Sequence, residues 1–118
     1  MSTQEVATAF TDLCKAGAFE EAGRRFWATT VRSIEPFEGP EAIADGIDAV
    51  MGKSAWWYGA HEVHSVTTDG PFVCGSQFAL RFDMDVTVKA TGERNAGREV
   101  AVYTVEDGKI VEERFFYG

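Results

Sequence analysis

The sequence predicts an α+β domain, and three observations carry that reading. Apolar residues recur at helical spacing only in the first half of the chain, two-residue alternation dominates from about residue 56 onward, and the alternating stretches are joined by short turns rich in Gly, Asp and Asn. Short connections between successive strands imply antiparallel neighbours. Helices first and sheet after, in the order ααβαββββ, put a helical hairpin and a third helix on one face of a strongly curved, mainly antiparallel sheet.

Each element has its own signal. Val6, Phe10, Leu13 and Cys14 mark a first helix over 3–15, with Ser2 or Thr3 available as its cap. Gly17 breaks it, and Phe19, Ala22, Phe26 and Trp27 restart the period over 18–27. The β-branched run in "TTVRSIEP" predicts a short strand ending near Pro36. "FEGPEAIADGIDAVMGKSA" then reads as a helix opened by Pro40, with Ile43, Ile47, Val50 and Met51 on one face, although Gly46 costs such a helix about 1 kcal/mol relative to Ala. Four strands follow, over 56–67, 72–88, 97–106 and 109–117, separated by "TDGP", "ATGERN" and "EDG".

Alternation in "SQFALRFDMDVTV" sends Phe78, Leu80, Phe82, Met84, Val86 and Val88 one way and Gln77, Ala79, Arg81, Asp83, Asp85 and Thr87 the other. The next strand is apolar on both faces. In the last strand Ile110, Glu112, Arg114 and Phe116 share one side, and Val111, Glu113, Phe115 and Tyr117 the other. A sheet with one face in water would not be built this way. Helices are expected on one face and a second subunit on the outer one, giving a homodimer.

At 118 residues there is room for one domain, 1–118, and 45% hydrophobic with 25% charged residues describes a folded chain. A net charge of -8 opposes nucleic acid or an anionic membrane as partner, since both are bound through clustered Lys and Arg. "MSTQEVATAF" has neither a basic start nor a long apolar run, and no stretch approaches the ~20 apolar residues of a membrane span, so a cytoplasmic location is expected. Cys14 and Cys74 belong to no ligand or redox spacing and are expected to be reduced, buried small hydrophobes. His61 and His64 are three apart on a strand with no third histidine, so no metal is expected. No nucleotide-binding or serine-nucleophile motif occurs, so no cofactor is expected.

The helical hairpin, the short strand ending in Glu35-Pro36, the third helix and the meander closing on "VYTVEDGKIVEERFFYG" together resemble the nuclear transport factor 2-like superfamily, in particular its SnoaL-like and ketosteroid isomerase-like branch. The resemblance spans the whole chain. It implies a cystatin-like cone, a curved sheet wrapped around helices with a pocket at one end, in a homodimer. Relatives of this kind include isomerases, cyclases, dehydratases, epoxide hydrolases and binding proteins without chemistry, and fold alone does not choose among them.

Carried over residue by residue, the isomerase base falls near Glu35, while its two acidic hydrogen-bond donors fall at Phe10 and Ala101, where neither donor survives. Tyr103 and Tyr117 are replacements if they project into the cavity. The Arg-x-Asp half of an epoxide hydrolase site matches Arg81 and Asp83, and its second aspartate falls at Phe115, with Glu113 two residues away on the same face. The candidate catalytic set is therefore Glu35, Arg81, Asp83 and Glu113. Trp57, from the "WWY" cluster, His61, Tyr103, Phe115 and Tyr117 are the candidate ligand contacts. The function expected is the binding of a small apolar or planar organic molecule, with carboxylate acid–base chemistry on it. The alternative is a non-catalytic binding or dimerisation module of the same fold.

Overall fold

In the computed structural model, which describes residues 1–118, the first helix α1 (Thr3–Lys15) begins at a reciprocal cap. The Ser2 hydroxyl accepts from the Glu5 amide at 3.1 Å, and the Glu5 carboxylate accepts from the Ser2 amide at 3.0 Å. Val6, Ala7, Phe10 and Cys14 form its buried stripe. Gly17 takes a left-handed conformation (φ 78°) that lets the chain reverse into α2 (Phe19–Phe26), which buries Ala22 and Phe26.

Strand β1 (Trp27–Ile34) follows without a loop. The predicted helix from Pro40 is corrected here. Ile43–Asp45 forms a three-residue strand, β2, antiparallel to Arg32–Ile34, and α3 runs only over Ile47–Ala60. Gly46 decides the boundary: at φ 91° it is the residue before the helix, where a side chain would be strained. The same shift moves Trp56, Trp57 and Tyr58 from the start of a strand into the last turn of α3.

The meander comprises β3 (His61–Cys74), β4 (Gln77–Val88), β5 (Arg94–Glu106) and β6 (Lys109–Tyr117), each antiparallel to the next. The "TDGP" segment is a second correction. It lies within β3 as a register shift between Asp69 and Phe72, and the turn comes at Gly75. Gly70 is needed there because a Cβ would lie 2.9 Å from the Leu80 side chain. "EDG" does turn the chain: Asp107 and Gly108 both have positive φ, and Glu106 pairs with Lys109, the arrangement of a two-residue hairpin.

The six strands form one sheet in the order β2-β1-β6-β5-β4-β3, with β1 parallel to β6 and every other pair antiparallel. The element order is the predicted ααβαββββ with β2 inserted. α1 packs against β3, β4 and β5, and α3 against β1, β2 and β3, so all three helices occupy the concave side. Phe10 is the hub of the core, with ring centroids 6.3 Å from Phe26, 5.9 Å from Phe78 and 4.9 Å from Tyr103. No helix is long and apolar enough to cross a membrane.

A third correction concerns β6. Ile110 is fully buried, yet Glu113, which strict alternation would place opposite it, is buried as well, at 7% exposed. A bulge resolves this: Ile110 pairs with Val105 and Glu112 with Thr104, so two residues of β6 answer to one of β5 and the parity resets. Glu113, Phe115 and Tyr117 then share the inner side with Ile110.

The two faces differ in their tolerance of substitution. Leu80→Ala, on the inner face and wholly buried, is expected to cost about 2–5 kcal/mol of unfolding free energy. Arg81→Ala, one residue on and half exposed, is expected to cost less than about 1 kcal/mol. Urea denaturation of both variants checks the assignment of faces.

Candidate functional site

The helices do not fill the concave side of the sheet. A cavity of about 190 Å³ remains between α1, α2, α3 and the inner faces of β1 and β3–β6, and most of its lining is apolar. Register explains which side chains reach it. Across β5 and β6, Tyr103 pairs with Glu113, Ala101 with Phe115 and Glu99 with Tyr117, three successive rungs of one inner face. On β4, Phe82 pairs with Glu99 and Leu80 with Ala101, continuing the wall.

Glu113 is the deepest acid. It is 7% exposed, and each carboxylate oxygen has its own donor: Trp27 Nε1 at 3.0 Å and Ser33 Oγ at 2.8 Å. The Ser33 bond comes directly from the sheet, since Ser33 is the parallel partner of Glu113 across β1 and β6. Trp27 is placed by α2, whose Gly23 leaves room for the indole; a Cβ there would lie 2.6 Å from the ring. Burial pushes the Glu113 carboxyl above the ordinary range, while Ser33, Lys53 and Trp27 pull it back.

The polar chain continues outward. Lys53 Nζ donates to Ser33 Oγ at 2.7 Å, pairs with Glu35 Oε1 at 2.6 Å, and lies 5.0 Å from the centre of the Phe115 ring. The other Glu35 oxygen accepts from the Tyr117 hydroxyl. Trp27, Glu113, Ser33, Lys53, Glu35 and Tyr117 thus form one connected hydrogen-bonded chain along the cavity wall. Lys53 reaches it because Val50, Lys53, Ser54 and Trp57 share the inner side of α3.

Glu99 stands apart from this chain. It lines the cavity with no hydrogen-bond or ion-pair partner in the protein. Burial, reinforced by the neighbouring Glu35 and Glu113, pushes its carboxyl up to about 7, against the pull of Lys53. Tyr103 is 3% exposed and also lines the cavity without a protein hydrogen bond; burial holds its phenol protonated. Cys14 is a neutral thiol at the wall, its titration pushed up to about 12 by burial, whereas Cys74, expected to be buried as well, is exposed because it is the last residue of β3, beside the Gly75 turn.

Of the residues singled out from sequence, Glu35, Glu113, Trp57, Tyr103, Phe115 and Tyr117 all line this cavity. Arg81 and Asp83 do not. They pair with each other at 3.2 Å on the convex face, where Arg98 also approaches Asp83 at 3.5 Å. Their neighbours Leu80, Phe82 and Met84 occupy the inner positions, so alternation turns the charged pair outward and removes it from the candidate chemistry. His61 is also outside the lining: its ring stacks on Trp57 at 4.5 Å, and its Nδ1 lies 2.8 Å from the Trp57 carbonyl oxygen, which makes it a support for the indole. Glu99, Lys53, Ser33 and Trp27 were missed. The parity that turns Tyr103 inward also turns Glu99 inward, and helical spacing from Val50 points to Lys53; only tertiary pairing reveals Ser33 and Trp27. No three of the His, Cys, Asp and Glu side chains converge as metal ligands would.

A family model for the SnoaL-like domain matches residues 1–117. The chain belongs to the SnoaL-like family. A protein of Mesorhizobium loti, provisionally described as a SnoaL-like polyketide cyclase, is 50% identical over 99% of this chain and 100% of its own, with a TM-score of 0.96. Two more distant structures share the fold alone. An NTF2-like protein of Burkholderia thailandensis is 18% identical over 100% of this chain and 92% of its own, at a TM-score of 0.82. A Bacillus subtilis protein provisionally described as an isomerase is 17% identical over 100% and 90%, at 0.78. Among proteins of curated function, none matches this SnoaL-like chain.

Removal of a donor tests the buried acid. Ser33→Ala leaves Glu113 with one donor fewer, which is expected to cost about 1–3 kcal/mol. The lost bond favoured the ionised carboxylate, so the variant's Glu113 titrates still higher. Its stability deficit should therefore widen as pH rises above the ordinary carboxylate range, measured by urea denaturation at a series of pH values.

Proposed function

We propose that this SnoaL-like protein takes a small, largely apolar organic molecule into the cavity and moves a proton on it without a cofactor. One observation carries the reading: Glu99 is a partly buried carboxyl without a protein partner in a largely apolar cavity, its titration pushed up to about 7, and the phenols of Tyr103 and Tyr117 line the same cavity. A base of that strength accepts a proton at working pH and gives it back. In such a step the Glu99 carboxylate removes a proton from carbon next to a carbonyl. The electron pair moves to the carbonyl oxygen, where the Tyr103 hydroxyl donates a hydrogen bond, and Glu99 returns the proton to the same or a conjugated carbon. Glu35 acts as a positioning residue, since Lys53 and Tyr117 occupy its oxygens. Isomerisation and aldol-type cyclisation both begin with this proton transfer.

The polyketide cyclase description of the M. loti relative is consistent with such chemistry. The competing reading, a binding module without catalysis, draws on the absence of oxyanion donors at Phe10 and Ala101; Tyr103, two residues from Ala101 on the same inner face, weakens it.

Deuterium exchange distinguishes the two. Small cyclic ketones incubated with the protein in D2O should exchange α-hydrogens faster than in buffer, followed by proton NMR. Glu99→Gln should lower the enhanced rate by about 10²- to 10⁴-fold. Exchange that is absent, or equal in the variant, would sink catalysis and leave binding.

We also propose a homodimer through the convex face. Val100 and Phe116 pair there across β5 and β6, 39% and 48% exposed, with Val102 beside them. Val100→Asp is expected to shift the sedimentation coefficient from that of a dimer to that of a monomer.

A further inference from the structure

The geometry points to a ligand that carries a positive charge: the cavity is built to hold a small organic cation, a substituted amine or quaternary ammonium, among aromatic rings and carboxyl groups. This deepens the function proposed above and rests on the same cavity being the binding site.

Charge balance is the first observation. Glu35, Glu99 and Glu113 face the space, and Lys53 is the single basic side chain in the lining. That lysine is already used, by Glu35 and by Ser33. A carboxylate ligand would meet uncompensated like charge, whereas a cation would supply the partner that Glu99 lacks in the protein. The phenol of Tyr103 also lines the space, and its hydroxyl is a neutral group that adds no positive charge to the wall.

The apolar lining is the second observation. Trp57, Tyr58, Phe19, Phe82 and Phe115 contribute ring surface to the wall. Ring faces carry partial negative charge and attract a cation most strongly where water is excluded. Lys53 shows that the site already accepts one, its ammonium lying over the Phe115 ring. A neutral hydrocarbon would gain burial from these rings and nothing from the acids. An alkylated cation gains from both.

A bound cation would also serve the chemistry, because it favours the ionised form of Glu99 and so readies the base on arrival. A volume of about 190 Å³, below the roughly 300–1,000 Å³ of drug-sized sites, sets a compact ligand.

Isothermal titration at about pH 8, where Glu99 is ionised, tests this with three molecules of matched shape: choline, its neutral carbon isostere neohexyl alcohol, and the anion tert-butylacetate. Choline should bind at least about ten-fold more tightly than neohexyl alcohol, with no detectable binding of tert-butylacetate. In Glu99→Gln the preference for choline should fall to within about two-fold of unity while the alcohol's affinity stays the same. Equal or tighter binding of the alcohol by the unaltered protein would overturn the charge preference and leave the cavity as a site for neutral molecules. Failure of all three to bind would overturn both.

Discussion

Glu113 is a carboxyl group held almost without solvent inside a sheet of apolar side chains, and much of the surrounding arrangement answers its need for donors. A buried carboxylate is tolerated only where hydrogen bonds replace the water it has lost. Ser33 reaches one oxygen because β1 runs parallel to β6 in that register, and Trp27 reaches the other because α2 presents a glycine to the indole. Ser33 in turn accepts from Lys53, which pairs with Glu35, which accepts from Tyr117. A single buried acid thereby fixes side chains from β1, α3 and β6, elements far apart in the chain.

That arrangement separates two kinds of carboxyl within one cavity. Glu113 and Glu35 are fully engaged, and their hydrogen bonds define the wall. Glu99 has no such partner, so its partial burial is left without the hydrogen bonds that compensate the deeper burial of Glu113. Two acids with different surroundings are a common basis for acid–base division of labour. The free one is available to a guest, and the engaged ones belong to the hydrogen-bonded wall.

Several elements were legible from residue order. The spacing of Val6, Phe10, Leu13 and Cys14 behind Ser2 announces α1, Asp107-Gly108 announces the last hairpin, and the alternation of Phe78, Leu80 and Phe82 announces one face of β4. The exceptions each have a local cause. Gly46 adopts a conformation that ends β2 and starts α3, "TDGP" is absorbed into β3 as a bulge, and the bulge in β6 returns Glu113 to the side of Ile110. Arg81 and Asp83 drew interest through a family pattern, but the alternation of their own strand turns them away from the cavity.

Periodicity and turn chemistry in the sequence determined the α+β plan, the meander, and which residues of β4 share a face, because spacing along a helix or strand is a property of the chain itself. Only the tertiary structure decided that Ser33, Trp27 and Lys53 converge near Glu113 and that Glu99 is left without a partner. Those relations depend on strand register and helix placement between segments up to 86 residues apart, and no local pattern encodes them.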